Sequence, residues 1–156
     1  MNKIINFIKI FFVFFALSFI TTSCKKDPKT NSDIVAKNNI IMEGSQEVPA
    51  KSTGASGFTD ILYNKTTKVL SYTIRWNNLT GPPTGMHFHS PCLRGSNAGV
   101  IFSITGYPAA ATGSISGTFT FDMVTQKEDE FLGGKWYSNV HTAANPSGEI
   151  RGQIEF

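Results

Sequence analysis

Apolar and polar residues alternate along most of the chain after residue 40, with a period of two. The clearest stretch is 69–76, where every second residue is aliphatic or aromatic. Such alternation indicates a β-strand, because successive side chains of a strand point to opposite faces. The pattern predicts strands at residues 39–43, 58–63, 69–76, 85–89, 99–104, 114–121, 135–142 and 148–156.

Turn-forming residues separate these segments, most clearly at 64–67 and 81–84. Only residues 126–132 are predicted to form a helical turn. About eight short antiparallel strands predict an all-β fold, a Greek-key β-sandwich or flattened barrel. The apolar faces predict a core that includes Leu70, Ile74, Trp76, Met86, Phe88, Phe119, Phe121, Val140 and Ile154.

The first 24 residues follow a different pattern. Lys3 and Lys9 are the only charged residues before Cys24, and residues 10–20 are almost entirely apolar. A basic start followed by a short apolar run is typical of a cleaved secretory signal peptide. Residues 21–24, Thr-Thr-Ser-Cys, resemble a bacterial lipobox, which implies a signal peptide over 1–23 and a lipid on Cys24. An ordinary secretory signal with an incidental cysteine is the alternative.

Residues 24–38 are polar and predict a flexible linker between the lipidated cysteine and a domain over 39–156. The charged residues directly after Cys24 resemble those of bacterial outer-membrane lipoproteins. This resemblance implies an outer-membrane lipoprotein of the cell envelope that faces the periplasm or the cell surface. The membrane would then be a partner through the lipid anchor.

The charge of the chain gives little information about further partners. Fourteen basic and eleven acidic residues give a formal net charge of +3, and two of the basic residues belong to the predicted signal peptide. A nearly neutral mature chain gives no reason to expect nucleic acid as a partner, so an unknown protein or small ligand is expected instead. If Cys24 carries a lipid, Cys92 has no partner for an intramolecular disulfide.

All three histidines of the chain fall in predicted strands, on the polar side of each. His87 and His89 are two residues apart and therefore share a face, and His141 projects from a second strand. Three imidazoles gathered in this way predict a copper or zinc site with an open coordination position. A hydrogen-bonded cluster without metal is the alternative. Cys92 would add a thiolate ligand for copper, or it is a loop thiol without a role.

No nucleophile elbow, glycine-rich phosphate loop or His-Glu-x-x-His motif is present in the sequence. No catalytic residue is therefore assigned, and a binding function is favoured over an enzymatic one.

Four segments, in this order along the chain, resemble the chordin-type (CHRD) domain family: 43–49, 85–89, 139–142 and 146–154. The resemblance spans residues 40–156 and matches the histidine segments of the family to His87, His89 and His141. Animal relatives are secreted antagonists of growth factors, which implies a metal-free extracellular binding or adhesion module as an alternative function.

Residues 85–89 and 140–141 also resemble the copper-binding strands of copper–zinc superoxide dismutase. This fainter likeness implies a superoxide-dismutase-like sandwich. The sequence has no fourth histidine to bridge two metals and no His/Asp-rich zinc loop. A dismutase-like enzyme is therefore a minor alternative.

Glu47 and Arg151 lie in the opening and closing segments of the predicted domain and are expected to have a structural role. Antiparallel folds often pair their terminal strands. We therefore expect a charge-assisted bond from Arg151 to a carboxylate, first Glu47 and second Glu149. Two independent solvated charges are the alternative.

Overall fold

The computed structural model describes residues 33–156, and these residues form eight strands. A single 3-10 turn, Gly44–Gln46, follows the first strand, and a short helix α1, Glu128–Leu132, lies within the predicted helical turn. The predicted signal peptide, the lipidated cysteine and most of the predicted linker lie outside the described residues. The strands are β1 (Ile34–Glu43), β2 (Ser56–Asn64), β3 (Val69–Asn77), β4 (Pro83–His89), β5 (Val100–Ser103), β6 (Gly113–Thr120), β7 (Trp136–Thr142) and β8 (Ile150–Ile154).

The eight strands form one antiparallel sheet in the order β5-β4-β7-β8-β1-β2-β3-β6. Strands β3 and β4 follow each other in sequence without being neighbours in the sheet, as do β5 and β6, and such crossing connections are typical of Greek-key folds. The sheet curls so that its two edges approach, and the rings of Phe102 in β5 and Phe119 in β6 stack with centroids 3.9 Å apart. The all-β prediction is confirmed, as a flattened barrel made from one curled sheet.

The core lies inside this curl and contains the residues that the alternation predicted. Eight of the nine predicted core side chains are buried, and Phe119 is partly buried against them. Aromatic rings from distant strands meet there, for example Phe121 and Trp136, whose centroids are 4.9 Å apart. The helix α1 contributes the buried Phe131.

The first strand begins at Ile34, five residues before the predicted start. Residues Ile34 to Lys37 pair with the end of β2, and the register then shifts before Ile40. Asn39 lies in this irregularity with a positive φ of 55°, and its backbone N–H donates to Asp60. The bulge and the exposed residues before it interrupt the alternation, so the early part of β1 resembles a polar linker in sequence.

None of the helices within residues 33–156 has the length and apolar character needed to cross a membrane.

Candidate metal centre

The candidate centre lies on the outer face of two neighbouring strands, β4 and β7. These strands pair antiparallel, with Gly85 opposite His141 and His87 opposite Asn139. The alternating residues Met86 and Phe88 are fully buried in the core. The three histidine side chains therefore project from the opposite side of the sheet, as predicted.

The three predicted ligands converge. Nδ1 of His87 lies 3.1 Å from Nε2 of His141, and one nitrogen from each of His87, His89 and His141 fits within a mutual separation of 4.8 Å. Gly85 leaves the necessary space, because a Cβ atom at this position would be 3.0 Å from the His87 ring and 3.5 Å from the His141 ring. The structure thus assembles on adjacent strands a donor set suited to a single ion.

Backbone carbonyls hold two of the three rings in place. Nδ1 of His89 lies 3.0 Å from the carbonyl oxygen of Ala98, and Nδ1 of His141 lies 3.0 Å from that of Pro146. A carbonyl accepts and cannot donate, so both Nδ1 atoms carry the proton. In the neutral rings Nε2 is then the lone-pair nitrogen, and both Nε2 atoms point into the cluster.

The environment keeps two of the rings neutral. Burial, together with the neighbouring His141 and His89, lowers the pKa of His87 to about 4. Burial also lowers the pKa of His89, against hydrogen bonds that act in the opposite direction. Neutral imidazole is the form that binds metal, so His87 and His89 are ready to act as ligands near neutral pH.

An asparagine outside the predicted ligand set lies at the centre of the cluster. Oδ1 of Asn139 is 3.0 Å from Nε2 of His89 and 3.1 Å from Nε2 of His141. Nδ2 of Asn139 is 3.5 Å from Oε1 of Glu47, whose side chain is buried. Burial raises the pKa of Glu47, opposed by Asn139 and by the charge of Arg151. Strand alternation could have identified Asn139, since it precedes His141 by two residues and shares its face.

The predicted bond between Arg151 and a carboxylate is wrong, and so is the alternative of solvated charges. Arg151 is 1% exposed and forms no ion pair with Glu47 or Glu149. Its guanidinium donates instead to the carbonyl of Ser96 at 2.8 Å and to Oε1 of Gln153 at 2.8 Å. The loop between β4 and β5 covers this part of the sheet and supplies the carbonyl acceptor.

Arg151 also contacts an aromatic ring that packs against the candidate centre. Its Cζ atom lies 3.5 Å from the ring centroid of Tyr137, and the same ring stacks on His89 with centroids 4.5 Å apart and planes 1° from parallel. A guanidinium over an aromatic face is an attractive cation–π contact. Glu47 and Arg151 thus both lie next to the candidate centre, without a direct bond between them, and their structural roles stay a prediction.

Glu149 is fully buried, and threonine side chains supply hydrogen bonds to its carboxylate. Its carboxylate accepts hydrogen bonds from the hydroxyls of Thr53 at 2.7 Å, Thr80 at 2.7 Å and Thr142 at 2.6 Å. These three donors come from the segment before β2, the connection between β3 and β4, and the end of β7. Glu149 therefore joins three separate parts of the chain.

Cys92 does not join the histidine cluster. Its thiol donates to the carbonyl of Ser96 at 3.1 Å, and Nη2 of Arg151 lies 3.6 Å from the sulfur. Burial raises the pKa of Cys92, with the charge of Arg151 acting in the opposite direction. The His-His-Cys ligand set considered from the sequence is therefore not formed.

A curled eight-stranded sheet with a histidine cluster on its outer face defines a small all-β domain with a candidate metal centre. The family model of the CHRD domain matches residues 39–154, and the chain belongs to this family. No curated protein and no solved structure matches the chain. The resemblances to bacterial lipoproteins and to superoxide dismutase remain predictions.

Proposed function

We propose that this CHRD domain binds one copper or zinc ion through His87, His89 and His141. The observation that carries the proposal is the convergence of three imidazole nitrogens within 4.8 Å. Zinc–nitrogen bonds of about 2.0–2.1 Å in a tetrahedral site place two ligand nitrogens about 3.3 Å apart. The 3.1 Å separation of His87 and His141 is already close to that value.

The fixed orientation of two rings further supports the proposal. Ligand histidines in metalloproteins commonly donate their other ring N–H to a carbonyl or carboxylate, which orients the coordinating nitrogen. His89 and His141 both have such an arrangement, through Ala98 and Pro146. Little reorganisation would therefore be needed when an ion binds.

Metal titration of the mature chain, purified without a histidine tag, tests the proposal. We expect one zinc or copper(II) ion per chain, and His87→Ala, His89→Ala or His141→Ala should each weaken binding at least about 100-fold while the far-UV circular dichroism spectrum stays unchanged. Cys92→Ser is the matched control and should bind as the wild type does. Undiminished binding by the His141→Ala protein would refute a three-histidine site.

We further propose that the domain is anchored to the cell envelope through a lipid on Cys24. The apolar run at 10–20 and the small residues before Cys24 support this proposal. Cys24→Ala should move the protein from the membrane fraction to the soluble fraction, because the acyl chains provide the anchor. Cys92→Ala, which removes the other cysteine, should leave the protein in the membrane fraction. Retention of the Cys24→Ala protein there would exclude lipid anchoring.

A metal-free binding module is the second candidate function. It is favoured by apolar side chains that project outward from β1 and β2, where Ile41 and Phe58 are cross-strand neighbours and are 50% and 41% exposed. Contiguous exposed apolar side chains often mark interaction surfaces. Absence of metal binding by the wild-type protein would make this candidate the leading one.

A further inference from the structure

Two of the histidines direct a lone-pair nitrogen at the same amide oxygen. Oδ1 of Asn139 is 3.0 Å from Nε2 of His89 and 3.1 Å from Nε2 of His141. Both Nε2 atoms are acceptors when the rings are neutral, because their Nδ1 protons are used by backbone carbonyls. An amide oxygen has no proton to share. Three acceptors thus face one another, and although Nδ1 of His87 can donate to Nε2 of His141 at 3.1 Å, a cation between the three would satisfy all of them.

Glu47 provides an independent reason for this orientation of the amide. Its Oε1 lies 3.5 Å from Nδ2 of Asn139, so the amide donates toward the carboxylate and its oxygen faces the histidines. A reversed amide would place its oxygen against the carboxylate. Both side chains are buried, Asn139 at 2% and Glu47 at 5% exposure, so bulk water is not available to relieve such a contact.

The backbone also makes room for Glu47 in this position. Gly148 has a φ of 118°, and a Cβ atom at Gly148 would lie 2.2 Å from Oε1 of Glu47. A residue with a side chain would both strain the backbone and displace the carboxylate. Glycine at 148 therefore allows Glu47 to reach the amide of Asn139.

We propose that Asn139 supplies the fourth ligand of the metal centre through Oδ1, and that Glu47 is the positioning residue that orients this oxygen. The proposal rests on the three-histidine site proposed above. Three nitrogens and one oxygen form a donor set for a divalent ion such as zinc or copper(II). Copper(I) prefers softer ligands and gains little from an amide oxygen. Asn139 is therefore a residue that determines which ion is selected.

The experiment compares the affinities of the Asn139→Leu protein for zinc and for copper(I), each measured by competition with a chelator. We expect zinc binding to weaken by about 10- to 100-fold and copper(I) binding to change by less than about 3-fold, since only the divalent ion uses the oxygen. Asn77→Leu, at the exposed end of β3, is the matched control and should change neither affinity.

A double variant provides a second test if Asn139→Leu does not fold. Glu47→Gln/Asn139→Asp exchanges the amide and the carboxylate, so an oxygen still faces the histidines and a hydrogen bond between the two side chains is retained. It should bind zinc within about 10-fold of the wild type, whereas Glu47→Gln alone should bind more weakly than the double variant.

The outcomes separate this inference from the proposed function. If the Asn139→Leu protein loses affinity for zinc and for copper(I) equally, Asn139 only orients the rings. If its zinc affinity is unchanged, the oxygen of Asn139 is not a ligand. Either result overturns the proposal that Asn139 is the fourth ligand and leaves the three-histidine site intact. If the wild type binds neither ion, both proposals fail.

Discussion

The carboxylate of Glu149 is the clearest case of a single side chain that stabilises the fold. It is buried and accepts short hydrogen bonds from three threonine hydroxyls. Glu149→Gln keeps the size of the side chain but removes the charge that strengthens these bonds. We expect the free energy of unfolding to fall by about 2–3 kcal/mol in urea titrations at pH 7. The control Glu155→Gln alters an exposed ion pair with Arg94 and should cost about 0–1 kcal/mol.

The same residue predicts how stability depends on pH. Burial raises the pKa of Glu149, but hydrogen bonds from Thr142, Thr53 and Thr80 outweigh this effect and place the pKa below the ordinary value of 4.5. The unfolded chain therefore binds the proton more readily than the folded chain does. The contribution of Glu149 is complete above pH 4.5 and is lost as the pH falls through the lower folded-state pKa. Urea midpoints of the wild type and the Glu149→Gln protein should converge in acid, and a constant difference would contradict this assignment.

At the scale of the elements, Gly85 determines how closely the ligands of β4 and β7 approach. A Cβ atom there would meet the His87 ring at 3.0 Å and the His141 ring at 3.5 Å. Gly85→Ala should therefore displace His87 and weaken zinc binding by about 10-fold, an effect of the size seen when ligand orientation is disturbed. Gly81→Ala is the control, because a Cβ atom at that glycine meets no atom within 4 Å. Equal zinc affinities of the two variants would contradict the role of Gly85.

The strands were predictable where one face is buried and the other is exposed. In β3 the alternation is complete, and the predicted and observed ranges differ by one residue. In β1 the bulge at Asn39 interrupts the alternation, and the residues before it resemble a polar linker in sequence. Gly148 adopts a left-handed backbone, so β8 begins only at Ile150. Local periodicity thus predicts an element well until the backbone departs from regular strand geometry.

The candidate site was predictable only in part. Alternation placed His87, His89 and His141 on polar faces, but strand pairing depends on contacts between distant segments, which periodicity does not contain. Asn139 was not among the predicted ligands because its amide is neutral, although its position two residues before His141 places it on the same strand face. The predicted ion pair of Arg151 failed because acceptors from the loop between β4 and β5 take the place of a carboxylate.

For the whole molecule, closure of the curled sheet depends on side chains. The rings of Phe102 and Phe119 stack across the two edges, and the ring centroid of Phe119 also lies 6.0 Å from that of Phe88. Phe119→Ala should lower the free energy of unfolding by about 3 kcal/mol, because it removes a large partly buried ring and leaves a gap at the closure. Phe58→Ala, which truncates a 41% exposed ring, should cost less than about 1 kcal/mol in the same thermal or urea unfolding measurement. If both variants lower the free energy of unfolding equally, the contact between the two edges does not close the barrel.

The way the sheet closes also has a consequence for self-association. Strand β6 contains eight residues, Gly-Ser-Ile-Ser-Gly-Thr-Phe-Thr, without a charge or a proline, and it lies at an edge. Free edges of this kind can recruit strands from other molecules, and flat sheets avoid this with lysines, prolines or bulges. Here the curl brings the rings of Phe102 in β5 and Phe119 in β6 into contact, but within residues 33–156 β6 pairs only with β3, so its outer backbone edge has no strand partner. Conditions that loosen the contact between Phe102 and Phe119 would make this edge more accessible and should favour aggregation.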